Sequence, residues 1–170
     1  MNLLKPVDHS ALKVNQLTII VLLLIAFILN APLLMGLVAL FMLSGTLLGQ
    51  PGFGFLYTRL LKTRGWVKPD VLQDHPEPHR FAQGFGGTVV LAGFVALLAG
   101  LPSLGWSLVW LVIFLAALNA FAGFCAGCMV YYWLNRLGLP GFNHAAQPGR
   151  FPGLRPKSAL EEGLQSRGDQ

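Results

Sequence analysis

The sequence predicts an all-α integral membrane protein: a four-helix bundle made of two transmembrane helical hairpins, with a cytoplasmic interfacial helix between them. Three observations lead there. Of the 170 residues, 54 % are hydrophobic and only 11 % charged, with a mean hydropathy of +0.60, whereas soluble domains carry about 25 % charge. Two long stretches, 14–49 and 81–134, contain no Asp, Glu, Lys or Arg. All 12 Lys and Arg lie outside those stretches. A soluble globule, a nucleic-acid binder and a disordered chain all fit poorly, and the basic balance of +5 is explained by topology and attraction to anionic lipid.

Each uncharged stretch is too long for one span of about 20 residues and divides at a turn. In the first, Asn30-Ala31-Pro32 breaks the run, because proline stops the preceding helix and restrains the residue before it. Helices are expected at 14–29 and 33–48, each about 24 Å long. In 51–66, Phe53, Leu56, Tyr57 and Leu60 share a helical face away from Thr58, Arg59 and Lys62, the pattern of an interfacial helix. In the second stretch, Gly100 to Gly105 separates helices expected at 81–99 and 106–133. Trp106 and Trp110 at one end and Tyr131, Tyr132 and Trp133 at the other suit the aromatic belts of a bilayer. The transmembrane domain is thus 1–136, followed by a flexible cytoplasmic tail, 137–170, with a short helix around Ser158–Leu164.

The basic residues place both termini and the central connector in the cytoplasm, with only two tight turns outside. The first apolar stretch exceeds a signal-peptide core, so a cleaved leader is not expected. The hairpins have similar entries, Asp8-His9 before Lys13-Val14-Asn15-Gln16 and Asp74-His75 before Arg80-Phe81-Ala82-Gln83, which suggests an internal repeat of a two-helix unit.

Cys125 and Cys128, the two cysteines of the chain, form a C-x-x-C in the fourth expected helix. On a continuous helix they share a face beside Trp110, Phe114, Phe121 and Tyr132, away from a stripe of small residues, Ala116, Ala120, Gly123 and Gly127, suited to close helix packing. Three readings compete. A redox dithiol suits the spacing, although a position near a helix C-terminus would disfavour a thiolate. A zinc site would join both cysteines to His75 and His79, spaced H-x3-H. In the third, the cysteines pack as small apolar side chains, or one carries a palmitoyl group.

Asn119 is a polar group inside the fourth helix, suited to an interhelical hydrogen bond or a pathway. Gln16 and Gln83 lie one turn inside each hairpin and suit capping or a facing pair; Gly45 and Gly49 form a GxxxG packing motif. Gly84-Phe85-Gly86-Gly87 follows no strand and is not a phosphate loop. With no acidic or basic residue inside the spans, an ion pump or channel has no visible machinery.

The entry Asp74 to Gly84, the run Leu118 to Cys128 and the Pro/Gly connector near Pro51 together resemble the bacterial membrane family called domain of unknown function 4395, over about residues 6–137. The resemblance implies a four-helix inner-membrane domain of bacteria. It assigns no activity, but some relatives are joined to or encoded beside thioredoxin-like or rhodanese-like proteins. The resulting expectation is a thiol redox or sulfur-relay module in which Cys125 and Cys128 work with such a partner. A lipid quinone and zinc are the two candidate cofactors, and the electron acceptor is left open. The rival is a non-catalytic scaffold or small-solute permease with structural cysteines. Whether the chain is an enzyme, and whether it self-associates, stay open at this level.

Overall fold

The computed structural model describes residues 4–65, 67–146 and 151–156. Strand β1 (Lys5–Asp8) leads straight into α1 (His9–Ile28), and β2 (Val71–Asp74) leads through His75 into α4 (Pro76–Leu98). The strands pair antiparallel, Lys5 opposite Asp74 and Asp8 opposite Val71, so one short ribbon holds the entry ends of α1 and α4 together. Between them come α2 (Pro32–Leu48) and a short segment, α3 (Gly54–Leu56), continued by a π-helical turn (Tyr57–Leu61). Helices α5 (Pro102–Ala122) and α6 (Ala126–Arg136) complete the described elements. Proline opens α2, α4 and α5, where its missing N–H and fixed φ cost nothing. Asp8 caps α1 by accepting the Ser10 N–H at 3.0 Å.

Helices α1, α4 and α5 are long and apolar enough to cross a bilayer; α2 is apolar and 17 residues long. Helix α1 packs on α2 and α5, and α4 packs on α2, α5 and α6. Leu23, Met35, Val38, Val90 and Val109 are sealed between them. Ile28, Leu33, Leu47, Phe114 and Phe121 face outward, Leu47 with 84 % of its surface exposed. Such an exterior suits lipid. Helices α4 and α5 approach closely at Gly93 and Gly105: a Cβ on Gly105 would lie 2.8 Å from the Gly93 carbonyl oxygen.

Several expected boundaries move. Helices expected at 14–29, 33–48 and 81–99 run 9–28, 32–48 and 76–98, because Asp8 and the N1 prolines nucleate them earlier than the apolar runs suggest. The helix expected at 106–133 is two helices. Gly123 takes a left-handed φ of 65° and ends α5, and the chain restarts after Cys125. Among the described residues of 51–66 only Gly54–Leu61 is helical, and its apolar side chains divide, Tyr57 turning inward while Phe55 and Leu60 stay exposed. Phe53 and Tyr57 are buried, Phe53 against Phe41 at 5.2 Å between rings, so the segment plugs the base of the helices. In the tail, residues 151–156 pack back on the chain before α6; the helix expected at 158–164 lies outside the described residues.

Candidate functional site

The helix break changes the chemistry of the C-x-x-C. Phe124 is paired with Leu154 in an isolated antiparallel bridge, the Cys125 N–H donates to the Gly153 carbonyl at 2.8 Å, and the Arg155 N–H donates to the Gly123 carbonyl at 2.9 Å. Those bonds hold Cys125 extended (φ −95°, ψ 99°) as the N-cap of α6, its Sγ accepting the Cys128 N–H at 3.1 Å. The pair therefore stands at a helix N-terminus, where free N–H groups favour sulfur with negative charge. This overturns the expected position at a helix C-terminus. Both cysteines are buried and joined as a disulfide, with Cα atoms 5.2 Å apart.

The small-residue stripe is divided by the same break. Gly123 ends a helix, and Gly127 seats α6 on α4, where an added Cβ would lie 2.5 Å from the Ala82 Cβ. Ala120 is buried and Ala116 lines a cavity. Gly45 and Gly49 do not form a helix-crossing pair. Gly45 admits the connector backbone at Gly52, and Gly49 caps α2 under the Arg80 guanidinium. The expected aromatic face is dispersed too: Trp110 packs on Phe27 and Phe114 points outward, leaving Tyr132 on the cysteine side with the largely exposed Phe121 at the rim of the cavity there.

What faces the disulfide instead is a chain of polar groups from the strand ribbon and the first turn of α4. His79 Nδ1 lies 3.5 Å from Cys128 Sγ, and His79 Nε2 lies 2.9 Å from Asp74 Oδ2. His9 Nε2 approaches the same oxygen at 3.3 Å, and its ring stands edge-on to His79 at 5.5 Å. The His75 N–H donates to Asp74 Oδ1 at 2.8 Å. Burial pushes the Asp74 carboxyl up, but the hydrogen bonds of His79 and His9, the charge on His79 and the His75 N–H outweigh it. The carboxyl is held well below the usual carboxylate range. An ionised Asp74 fixes His79 with its proton on Nε2 and leaves Nδ1 free to accept one from Cys128.

Asp8, the counterpart of Asp74 in the repeated entry, does a different job. It accepts from the Ser10 and Asp70 N–H groups and from the Tyr57 hydroxyl at 2.8 Å. Burial, that bond and the Asp8 charge push the Tyr57 phenol up to about 12. Of the two readings of Gln16 and Gln83, the facing pair is not formed; Asn15 pairs with Gln83 instead. The Asn15 amide donates to Gln83 Oε1 at 3.1 Å and accepts the Phe53 N–H at 2.8 Å, while Gln83 donates to the Met42 carbonyl at 2.9 Å.

The four-ligand zinc set is not assembled. Cys125, Cys128 and His79 have ligand atoms within 4.8 Å of one another, but His75 belongs to another group, with Glu77 and His144, whose ring stacks on it at 4.5 Å. Pro76 and Pro78 set the turn that sends the two histidines to different sides. A disulfide leaves no thiolate for a metal, so a three-ligand site would exist only in the reduced protein. His9 and Asp74 were missed as site residues from sequence, although both stand in the Asp-His doublets at the hairpin entries.

Fold and site together define a mainly helical membrane protein with a buried cysteine pair backed by histidine and carboxylate. The family described as a domain of unknown function (DUF4395) matches residues 7–136, and the chain belongs to it. No curated protein and no solved structure matches.

Proposed function

We propose that the chain is a membrane-embedded thiol–disulfide module in which Cys125 and Cys128 cycle between dithiol and disulfide in exchange with a thioredoxin-like or rhodanese-like partner. The observation that carries the reading is the placement of the pair: Cys125 Sγ on the N-terminus of α6, Cys128 Sγ 3.5 Å from His79 Nδ1, and Asp74 behind that ring. A partner thiolate attacking Cys125 Sγ breaks the Cys125–Cys128 bond and sends the electron pair to Cys128. The proton given up by the partner thiol reaches Cys128 through His79 Nδ1, which takes it up and then passes it on, and the α6 N–H groups hold charge on Cys125 when it is later displaced. A second partner thiolate then resolves the mixed disulfide, leaving the partner oxidised and Cys125 and Cys128 reduced. In a sulfur relay the reduced Cys125 thiolate would attack the outer sulfur of a partner persulfide, breaking its S–S bond, so that Cys125 carries the persulfide and the partner leaves as its thiol.

Around this site the four long helices act as two hairpins from a repeated unit, in a bacterial inner membrane. The basic residues argue for cytoplasmic termini and connector, which puts the cysteine end of α5 on the cytoplasmic side. The test is thiol labelling of the full chain in membranes with an impermeant maleimide, before and after mild oxidant and reductant. Both thiols are expected to disappear together and return together. Thiols that stay reactive throughout, with Cys125→Ala/Cys128→Ala melting like wild type, would leave only a packing role.

A further inference from the structure

We infer that a cavity beside the cysteines binds the ring of a lipid-soluble quinone, which takes the electrons of the reduced pair; the inference rests on the thiol–disulfide reading above. Two cavities, of about 130 and about 110 Å3, adjoin the site and share a wall of Leu12, Gln16, His79, Asn119 and Cys125. The smaller lies among α1, α4 and α5 and reaches inward to Ile19, Met42 and Val112, so it is set within the apolar helices. Its polar groups divide sharply. Asn15 and Gln83 are fully engaged with each other and with backbone. Gln16 and Asn119, half-buried on facing helices, have no hydrogen-bond partner among the described residues. Unpaired amides at membrane depth are costly unless something polar occupies the space between them.

Size and chemistry narrow the occupant. A cavity of about 150 Å3 takes a single benzene ring; the two adjoining cavities, about 130 and about 110 Å3, together give room on the scale of one substituted ring and not of a flavin or a nicotinamide dinucleotide. A quinone ring is flat and largely apolar, and its two carbonyl oxygens accept the N–H donors that Gln16 and Asn119 offer. Cys125 forms part of the wall, which puts the ring against the pair. The reaction balances without another reagent. Two S–H bonds are lost and one S–S bond forms, while two electrons and two protons convert the quinone to its quinol; the Cys128 proton leaves through His79 Nδ1.

The test uses the full chain in lipid nanodiscs, reduced, desalted and kept anaerobic, with decylubiquinone, whose fully substituted ring resists thiol addition. One quinol is expected per disulfide formed. Asn119→Leu and Gln16→Leu should each slow the reaction at least tenfold and raise the half-saturating quinone concentration, while Asn119→Gln, which keeps the amide, recovers most of the rate. A parallel arm replaces quinone with diamide. If diamide closes the pair but the quinone does not, or if both Leu variants reduce quinone like wild type, the quinone site is overturned and the thiol reading stands. That is also the result if water alone fills the cavity. If diamide closes nothing, the thiol reading fails and takes the quinone site with it.

Discussion

Asp74 accepts from His79 and from its neighbour's N–H, with His9 Nε2 in contact at 3.3 Å, in a position that would otherwise keep a carboxyl neutral. Its folded-state pKa lies below the ordinary value of 3.8, so the unfolded chain takes up the proton first as pH falls. The stabilisation is therefore complete above about pH 4 to 5 and drains away below, by about 1.4 kcal/mol per pH unit until the folded carboxyl also protonates. Asp74→Asn removes it at every pH, at a cost on the order of 2 to 3 kcal/mol near neutrality. Melting of both proteins in detergent from pH 6 to 2.5 should show a gap of several degrees that closes towards the acid end. A gap independent of pH would mean that Asp74 is not charged in the fold. The sequence marks Asp8-His9 and Asp74-His75 as alike and cannot say that they diverge: Asp8 caps a helix and holds Tyr57, while Asp74 orients the histidine beside the cysteines. The difference lies in partners 49 residues away from Asp8, in the connector, and five residues away from Asp74, within α4.

Helix α6 is placed by two glycines that act through different physics, and substitution separates them. Gly123 needs a left-handed φ, but a Cβ there would only touch Arg155 Cβ at 3.5 Å, so Gly123→Ala should cost about 1 to 2 kcal/mol of backbone strain. At Gly127 the backbone is ordinary helix and the obstacle is steric, with a Cβ 2.5 Å from that of Ala82. Gly127→Ala should therefore cost about 1 to 3 kcal/mol by overpacking and lever Cys128, one residue on, away from His79. The expected outcome is slower closure of the reduced pair in Gly127→Ala, restored by adding Ala82→Gly, with no such rescue of Gly123→Ala. Apolar runs and prolines made the four long helices readable from sequence, because membrane spans are written in composition. The break at Gly123 was not, since a glycine in the apolar run of the fourth expected helix reads equally as a packing surface. What decides is the segment around Gly153, which takes up the backbone bonds of 123–125 and cannot be inferred locally.

For the molecule as a whole, the outward-facing apolar side chains and the clustering of charge at the helix ends follow from one constraint, and composition revealed both. The candidate site follows from long-range pairing. His79 meets a cysteine 49 positions away, and the ribbon that delivers Asp74 joins the strand before α1 to the last residues of the connector. The cover over the cysteines comes from still further along the chain: Gly153 and Arg155 bond to 123–125, and the Arg155 side chain pairs with Asp70, the residue before β2. That cover lies beyond the family-matched residues 7–136. The Arg155–Asp70 pair is partly exposed, and such pairs contribute about 0 to 1 kcal/mol, so Arg155→Asp should raise alkylation of the reduced cysteines by no more than about fivefold. Ending the chain after Ala146 removes the backbone bonds as well and should raise it on the order of tenfold or more, through local opening. The measurement is iodoacetamide trapping of the reduced protein followed by mass spectrometry, with melting recorded alongside. If the truncated chain melts like the full one and labels no faster, residues 151–156 do not control access to the pair.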